Sequence, residues 1–553
     1  MNISRRFFLL GAGSLVGEGA GLFAAADKPL FTAGAMTDTH VLDRPGMHER
    51  VRRAYRLFRK FGVDLIINNG DICDKYCPEG YRRYRAISEE TYPNRASCPK
   101  EVFVWANHDR VYFTPGLYAS SYEDSFAAAK PLLGIRHEMY DQFEMGGYRF
   151  LVYPQCVEKD LARYEREIAA ACKASPGKPV FVINHVPPAR TTGFGGGSEA
   201  FRRILDRYPQ VVNFCGHSHG SLRNPALIWQ DGFTCINFGC LQTWAGQFLG
   251  RDPGRRESWD VSYLEFYADR LVVRRFSLKD GSEIEGDDPW VVYWGGAQRY
   301  VKAKRAAAER APQFAAGAEI RVAADDETAM KTVRVSLPPS DDSRRTLGYR
   351  LTIDRRTADG WSPVSVREIC GDFYREEQEP AWSEFPDVMP AAFFDEGTRY
   401  RLTARPYGFF GAEGRAITRE WTAPKRAETE VLCDLTEGLP TLRGGEKFDL
   451  PEAVQKLPRK TKLRLIVDAQ SDCPEGLDLA FRMQCFPRKE IGSNWICCES
   501  GRVTRRYVLD FSRCSGKQPI SLSPVFSPKA TKLQLLRVRV ERVGGNEADH
   551  DDI

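Results

Sequence analysis

Leu65-Ile66-Ile67-Asn68-Asn69-Gly70-Asp71 sets a glycine and a carboxylate directly behind a short apolar run, and this construction recurs through the first half of the chain. Asp38-Thr39-His40 follows the run Pro29 to Met36. Asn107-His108-Asp109 follows Val102-Phe103-Val104-Trp105, and Asn184-His185 follows Val180-Phe181-Val182-Ile183. Gly216-His217-Ser218-His219 follows Val211, Val212 and Phe214. Helical spacings lie between these runs, such as Val51, Ala54, Tyr55, Phe58 and Phe61 within residues 46–61, and the stretch 160–173. Alternating strands and helices predict an α/β domain. In open α/β sheets ligands bind at the carboxyl ends of strands, so the five polar clusters are expected to converge on one edge.

Five of the eight histidines sit in these clusters. Carboxylate, amide and imidazole are the side chains that hold divalent transition metals. A set of this size can seat two ions side by side, an arrangement suited to hydrolysing phosphate esters. Each motif alone has a plainer reading: His185 as a satisfied core histidine, Gly216 to His219 as a turn, Asp71 as a helix cap. Their recurrence in order behind successive strands outweighs those readings.

At 553 residues the chain exceeds one core, and about two to four domains are expected. The formal charge is +5, from 79 Lys and Arg against 74 Asp and Glu. No basic block stands out, so no nucleic-acid or membrane-surface signature is present. Ser4-Arg5-Arg6-Phe7-Phe8-Leu9, an apolar glycine-rich stretch to Phe23 and Ala24-Ala25-Ala26 read as an export signal over residues 1–26. The paired arginines resemble a twin-arginine signal, which predicts a periplasmic or extracellular protein with no transmembrane anchor after signal removal. The alternative is an N-terminal membrane anchor, against which Glu18 and five glycines count. The fifteen cysteines are odd in number and irregular in spacing. One to three disulfides are expected, with most thiols buried.

Residues 27–296 are read as the catalytic domain and 297–317, rich in Ala, Arg and Lys, as a linker. Residues 318–425 show alternating runs at Arg321 to Ala323, Val333 to Leu337, Tyr349 to Ile353, Tyr400 to Ala404 and Thr418 to Trp421, a β-sandwich pattern. Thr398 to Gly408 resembles the penultimate strand of a fibronectin type III domain, with Tyr400 as its corner tyrosine. Residues 426–553 again read as all-β, with runs near Lys462 to Ala469, Leu479 to Phe486, Arg506 to Phe511 and Lys532 to Val540. They resemble the jelly-roll modules of exported enzymes, which implies a glycan or cell-surface partner.

In type and order the five clusters resemble the calcineurin-like metallophosphoesterase superfamily, whose pattern is DxH, GD, GNH(D/E), H and GHxH. The match spans Leu30 to about Trp294. It implies a two-sheet α/β sandwich of the metallophosphoesterase type, followed here by two all-β sandwich domains. By resemblance, Asp38, His40, Asp71 and His219 hold one divalent ion, and Asp71, Asn107, His185 and His217 the other, with Asp71 bridging. Mn, Fe, Zn and Co all suit such N/O ligands. A hydroxide between the ions would attack phosphorus, His108 would protonate the leaving oxygen, and Asp109 would orient His108. Asn107 and Arg110 are candidate contacts to the phosphate ester substrate, although Arg110 reads equally as a surface residue.

Two departures matter. Ala106 stands where the third motif has glycine, and the first motif ends in His40 instead of the glycine of purple acid phosphatases. Asp74 stands where those enzymes carry a tyrosine, so a charge-transfer iron phosphatase is not expected. The DxH form favours a phosphodiester over a monoester. The alternatives are a nucleotidase-like monoesterase, or a glycan-binding or surface protein that keeps an inactive phosphoesterase scaffold. The glycine run Gly193 to Gly197 reads as a lid or a flexible connection, and Trp244 as a pocket or core residue. His48 and His137 fit no motif.

Overall fold

The computed structural model describes residues 28–543 apart from 42–46, 74–76, 95–96, 111–120, 156–159, 193–196, 242–258, 285–288, 329, 376–377, 444–445, 459–460, 472–477, 487–488, 498–503, 513–520 and 526–531. The export signal, Asp74, Trp244 and most of the glycine run therefore lie outside the described residues.

Strands β1 (Phe31–Met36), β2 (Leu65–Asn68) and β3 (Lys100–Phe103) run parallel, with Ala35 opposite Ile67 and Ile67 opposite Val102. A second sheet contains β4 (Asp141–Met145), β5 (Tyr148–Val152), β6 (Val180–Ile183), β7 (Val211–Cys215), β8 (Ile228–Asp231) and β9 (Phe233–Asn237), in the order β4-β5-β6-β7-β9-β8. The chain then returns to the first sheet as β10 (Asp260–Phe266), β11 (Arg270–Ser277) and β12 (Trp290–Tyr293), antiparallel neighbours that extend it from β1.

Period-two alternation explains the layering. Phe31, Ala33, Ala35, Leu65, Ile67 and Val102 face inward and pack on Phe150, Val152, Phe181, Ile183 and Phe214 of the second sheet. Met36, Ile66 and Phe103 face the other way, against α1 (Met47–Phe61) and α2 (Pro78–Thr91), where Val51, Ala54, Tyr55 and Phe58 form one buried helical stripe. Helix α3 (Tyr122–Leu133) joins that outer core through Phe126, Ala129 and Leu133. Helices α4 (Leu161–Ala174) and α5 (Glu199–Leu205) cover the second sheet through Tyr164, Ile168, Phe201 and Leu205. The result is a helix–sheet–sheet–helix sandwich with mixed sheets.

The third strand ends at Phe103, so Val104 and Trp105 already belong to the turn that carries Asn107. The β4–β5 hairpin and β8 to β12 did not announce themselves in the sequence. β4 is a partly exposed edge, β10 and β11 mix charged with apolar residues, and β12 is only four residues long.

Helix α6 (Lys302–Ala308) occupies part of the expected linker, and the Arg305 guanidinium lies 4.2 Å from the Phe410 ring centroid. The C-terminal region is strand-rich. Three strands at Arg321–Ala324, Thr332–Leu337 and Phe385–Pro390 form one sheet. A second contains Gly348–Thr357, Gly360–Cys370, Arg399–Tyr407 and Ile417–Thr422, with Val333, Val335, Tyr349, Leu351, Tyr400 and Leu402 in the shared core. Tyr400 is buried, and its hydroxyl accepts the Asp395 N–H at 2.7 Å. Two further antiparallel sheets lie beyond residue 430, consistent with a β-sandwich. The nine cysteines with described side chains are free thiols, so the expected disulfides are absent among them. No helix among the described residues is long and apolar enough to cross a membrane.

Candidate metal centre

At each carboxyl-terminal strand end the backbone turns abruptly. Among the described residues six non-glycine positions have positive φ, and five are motif residues: Asp38 (51°), His40 (43°), Asp71 (50°), His217 (66°) and His219 (48°), the sixth being Arg190. Each such conformation costs about 1–3 kcal/mol and persists only when its surroundings over-determine it. Cross-strand bonds supply that constraint here. The Asp38 N–H donates to Gly70 O (3.0 Å), the His40 N–H to Asp71 O (3.0 Å) and the Gly216 N–H to His185 O (2.8 Å). Two glycines make the close approach possible. A Cβ on Gly70, at φ 98°, would stand 2.7 Å from both Ala106 Cβ and His185 Nδ1, and one on Gly216 would stand 2.0 Å from Thr37 Oγ1.

The side chains converge. Asp38, His40, Asp71 and His219 each offer a ligand atom within 4.8 Å of one another, and so do Asp71, His185 and His217. Asp71 belongs to both sets. Each carboxylate divides its oxygens: Asp38 Oδ2 accepts from Thr37 Oγ1 (2.7 Å) and the His217 N–H (2.9 Å), leaving Oδ1 facing His219 Nε2 at 3.2 Å. Asp71 Oδ1 accepts the His108 N–H at 2.9 Å, leaving Oδ2 facing His185 Nε2 at 3.1 Å. His185 Nδ1 meets the Asn69 carbonyl at 2.7 Å; a carbonyl only accepts, so Nδ1 carries a hydrogen and Nε2 is the nitrogen turned toward Asp71.

Asp38 Oδ1, Asp71 Oδ2, Asn107 Oδ1, His185 Nε2 and His217 Nδ1 are buried with no hydrogen-bond partner of acceptable geometry. Three oxygens and two ring nitrogens left without partners in one buried place could hold a cation, and N/O donors of this kind fit a divalent transition metal. The electrostatics agree. Burial would raise the Asp38 pKa, but His219 and His185 outweigh it and hold the carboxyl well below its usual range. Burial would lower the His185 pKa, yet Asp71 and Asp38 push it up to about 9. Burial, then His185, push His217 down to about 4.

The third motif lies against Asp71. The His108 ring centroid is 4.7 Å from that of His40, edge to face. Arg110 places its guanidinium 5.2 Å from the Tyr122 ring centroid at the start of α3. The Asp109 carboxylate is fully buried and accepts three backbone N–H groups, from Ile72 (2.9 Å), Cys73 (3.1 Å) and Ala106 (3.3 Å). The reason is local: two loops meet in the buried interior, and their amides need an acceptor. Burial and the Asp71 charge push the Asp109 pKa up to about 7.

Sequence reasoning missed Thr37 and Asn69, which aim Asp38 and His185. Both are motif neighbours; Thr37 bonds the adjacent Asp38, and Asn69 meets His185 from another strand end. His48 and His137 are buried away from the cluster's ligand sets, and His137 Nε2 accepts the Phe103 N–H at 3.0 Å.

A two-sheet α/β sandwich with a His/Asp cluster able to bind metal ions at its strand ends is a metallophosphoesterase fold. Residues 31–221 match the family model described as calcineurin-like phosphoesterase, so this part of the chain is a calcineurin-like metallophosphoesterase domain. No curated protein matches the chain. Among solved structures it is similar to a dimetal phosphatase from Danio rerio, with 16% identity over 48% of this chain and 100% of that one, at a TM-score of 0.32. It is also similar to a purple acid phosphatase from yellow lupin (Lupinus luteus) seeds, with 13% identity over 48% of this chain and 53% of that one, at a TM-score of 0.33. A third is Vps29 from Entamoeba histolytica complexed with zinc, with 13% identity over 48% and 99% of the two chains, at a TM-score of 0.21.

Proposed function

We propose that the chain is an exported dinuclear-metal phosphoesterase acting on a phosphodiester in preference to a monoester. The observation that carries this reading is the division of labour within Asp38 and Asp71. One oxygen of each is tied to the scaffold and the other is buried, bare and aimed at imidazole nitrogens. Asp38, His40, Asp71 and His219 would hold one ion, and Asp71, Asn107, His185 and His217 the other, from among Mn, Fe, Zn or Co. Bound there, such ions supply positive charge to the phosphoryl oxygens and acidify water for attack on phosphorus.

The chain's own residues set the rest. Asp71 offers its carboxylate to both ligand sets and offsets part of the charge concentrated there. His108 protonates the leaving oxygen, its backbone N–H pinned to Asp71 so that the ring stays beside His40. Asn107 and Arg110 contact the ester, and Asp109 holds their turn in place. The diester preference rests on His40 closing the first motif. Residues 318–425 are read as fibronectin III-like, supported by the pairing of three strands with four and by the Tyr400 bond to Asp395. Residues 426–553 are read as jelly-roll-like, and both modules as contacts to a glycan or cell surface.

Hydrolysis of bis-p-nitrophenyl phosphate and of p-nitrophenyl phosphate by metal-replete protein tests the reading. The diester is expected to be the faster substrate. A faster monoester would overturn the preference, and no hydrolysis of either would overturn the reaction class.

A further inference from the structure

β9 ends at Asn237, and the segment behind it runs alongside the first motif. The Leu241 N–H donates to Thr37 O at 3.1 Å, and Asn237 Nδ2 donates to Gly216 O at 2.7 Å and Ser218 Oγ at 3.0 Å. Gly239, at φ 78°, lies so close to Leu222 that a Cβ would stand 2.6 Å from its Cγ. The next residue, Cys240, is fully buried. Its Sγ lies 3.5 Å from His219 Nδ1 and 3.7 Å from the carbonyl oxygen of Asp38, both within hydrogen-bond reach for sulfur.

One arrangement of the protons uses both of these contacts at once. A carbonyl has no hydrogen to give, so the thiol donates to Asp38 O and turns sulfur lone pairs toward His219. The contact then holds when Nδ1 of His219 carries the ring hydrogen. Nε2 is left bare, 3.2 Å from Asp38 Oδ1 and 3.1 Å from His40 Nε2. His185 uses the same device with a stronger acceptor, the Asn69 carbonyl.

We propose that Cys240 is the positioning residue for His219, setting its tautomer and ring rotation through a thiol that bridges the first and last motifs. Partners of this kind, one shell out from a metal, fix ligand orientation and typically change affinity by about 10- to 100-fold. The inference rests on the metal-holding reading above and adds an asymmetry: the ion held by Asp38, His40, Asp71 and His219 depends on the thiol, and the other does not.

Cobalt titration of metal-free protein, followed by visible absorption, tests this in wild type, Cys240→Ala and Cys240→Ser, with melting temperatures of the metal-free forms alongside. Cys240→Ala is expected to weaken one ion by about 10- to 100-fold and leave the second unchanged. Cys240→Ser, whose hydroxyl both donates and accepts, should recover most of that loss. Wild-type affinity for both ions in Cys240→Ala would overturn the proposal, as would equal losses in both variants that track a fall in melting temperature. Should Cys240→Ala not fold, ring nitrogen shifts of histidine-labelled wild type decide: a hydrogen on His219 Nδ1 supports the proposal and one on Nε2 overturns it. Wild-type protein that takes up no cobalt would instead overturn the dimetal reading itself.

Discussion

Asp71 Oδ2 lies 3.1 Å from His185 Nε2, and neither atom has a hydrogen bond of acceptable geometry. The Nδ1 hydrogen of His185 is committed to Asn69 O, so Nε2 is the nitrogen left to face the carboxylate oxygen or an ion between them. Asp71→Asn removes the charge shared by the two ligand sets while keeping the shape. It is expected to weaken both ions by more than about 100-fold, beyond what orienting residues contribute. Metal content after dialysis checks this, and loss of one ion alone would contradict the shared role.

His108 is fixed by its backbone and carries no ligand role, so its substitution separates binding from proton transfer. His108→Gln should retain both ions and lose about 10²- to 10⁴-fold in kcat on an alkyl phosphodiester. The loss should shrink on a nitrophenyl ester, whose leaving group needs no proton. Equal losses on both esters would remove the proton-donor role.

Asp109→Asn tests the structural part that residue plays in its turn. The amide oxygen can keep the Ile72 and Cys73 N–H groups, but the NH₂ then confronts the Ala106 N–H. A buried donor left unsatisfied costs about 1–3 kcal/mol. Chemical denaturation should show a loss of that size, and a pH–rate profile of unchanged shape would separate this structural role from one in proton transfer.

His137 gives the stability a pH dependence away from the cluster. Its Nε2 accepts the Phe103 N–H and Nδ1 meets Glu138 O at 2.8 Å, so the neutral ring fits and the charged ring does not. Burial lowers its pKa, and the partial compensation from Glu138 O and Asp141 does not reverse that. An unfolded histidine takes up a proton near pH 6.5. The contribution is therefore present above about pH 6.5 and is lost as pH falls through the lower folded-state value. His137→Gln, which can repeat both bonds without titrating, should flatten the acid limb of melting temperature against pH. An unchanged slope would assign that limb to other groups.

The strand ends that carry Asp38, Asp71, Asn107, His185 and His217 were legible because fully buried parallel strands are written as unbroken apolar runs, and a charged residue behind one has few plain explanations. β10 and β11 were not, because charged residues break up their apolar runs along an antiparallel return. The ligand types could be read from composition, but what aims them could not. Asn69 and Cys240 act through partners distant in sequence, and the left-handed turns at Asp38, His40, Asp71, His217 and His219 are a conformation uncommon for any residue but glycine. Local propensity fails at the same positions where the cluster is built, as strained functional sites lead one to expect.

The central claim is that the bare oxygens and nitrogens around Asp71 exist to hold two ions that act on phosphorus. The most direct measurement is a titration of chelator-stripped protein with Mn²⁺, recording bound metal and phosphodiester hydrolysis together. Activity that is absent at the start and saturates as the second equivalent per chain binds is the predicted result. Hydrolysis that survives complete metal removal, or two bound ions without hydrolysis of any phosphate ester, would contradict it.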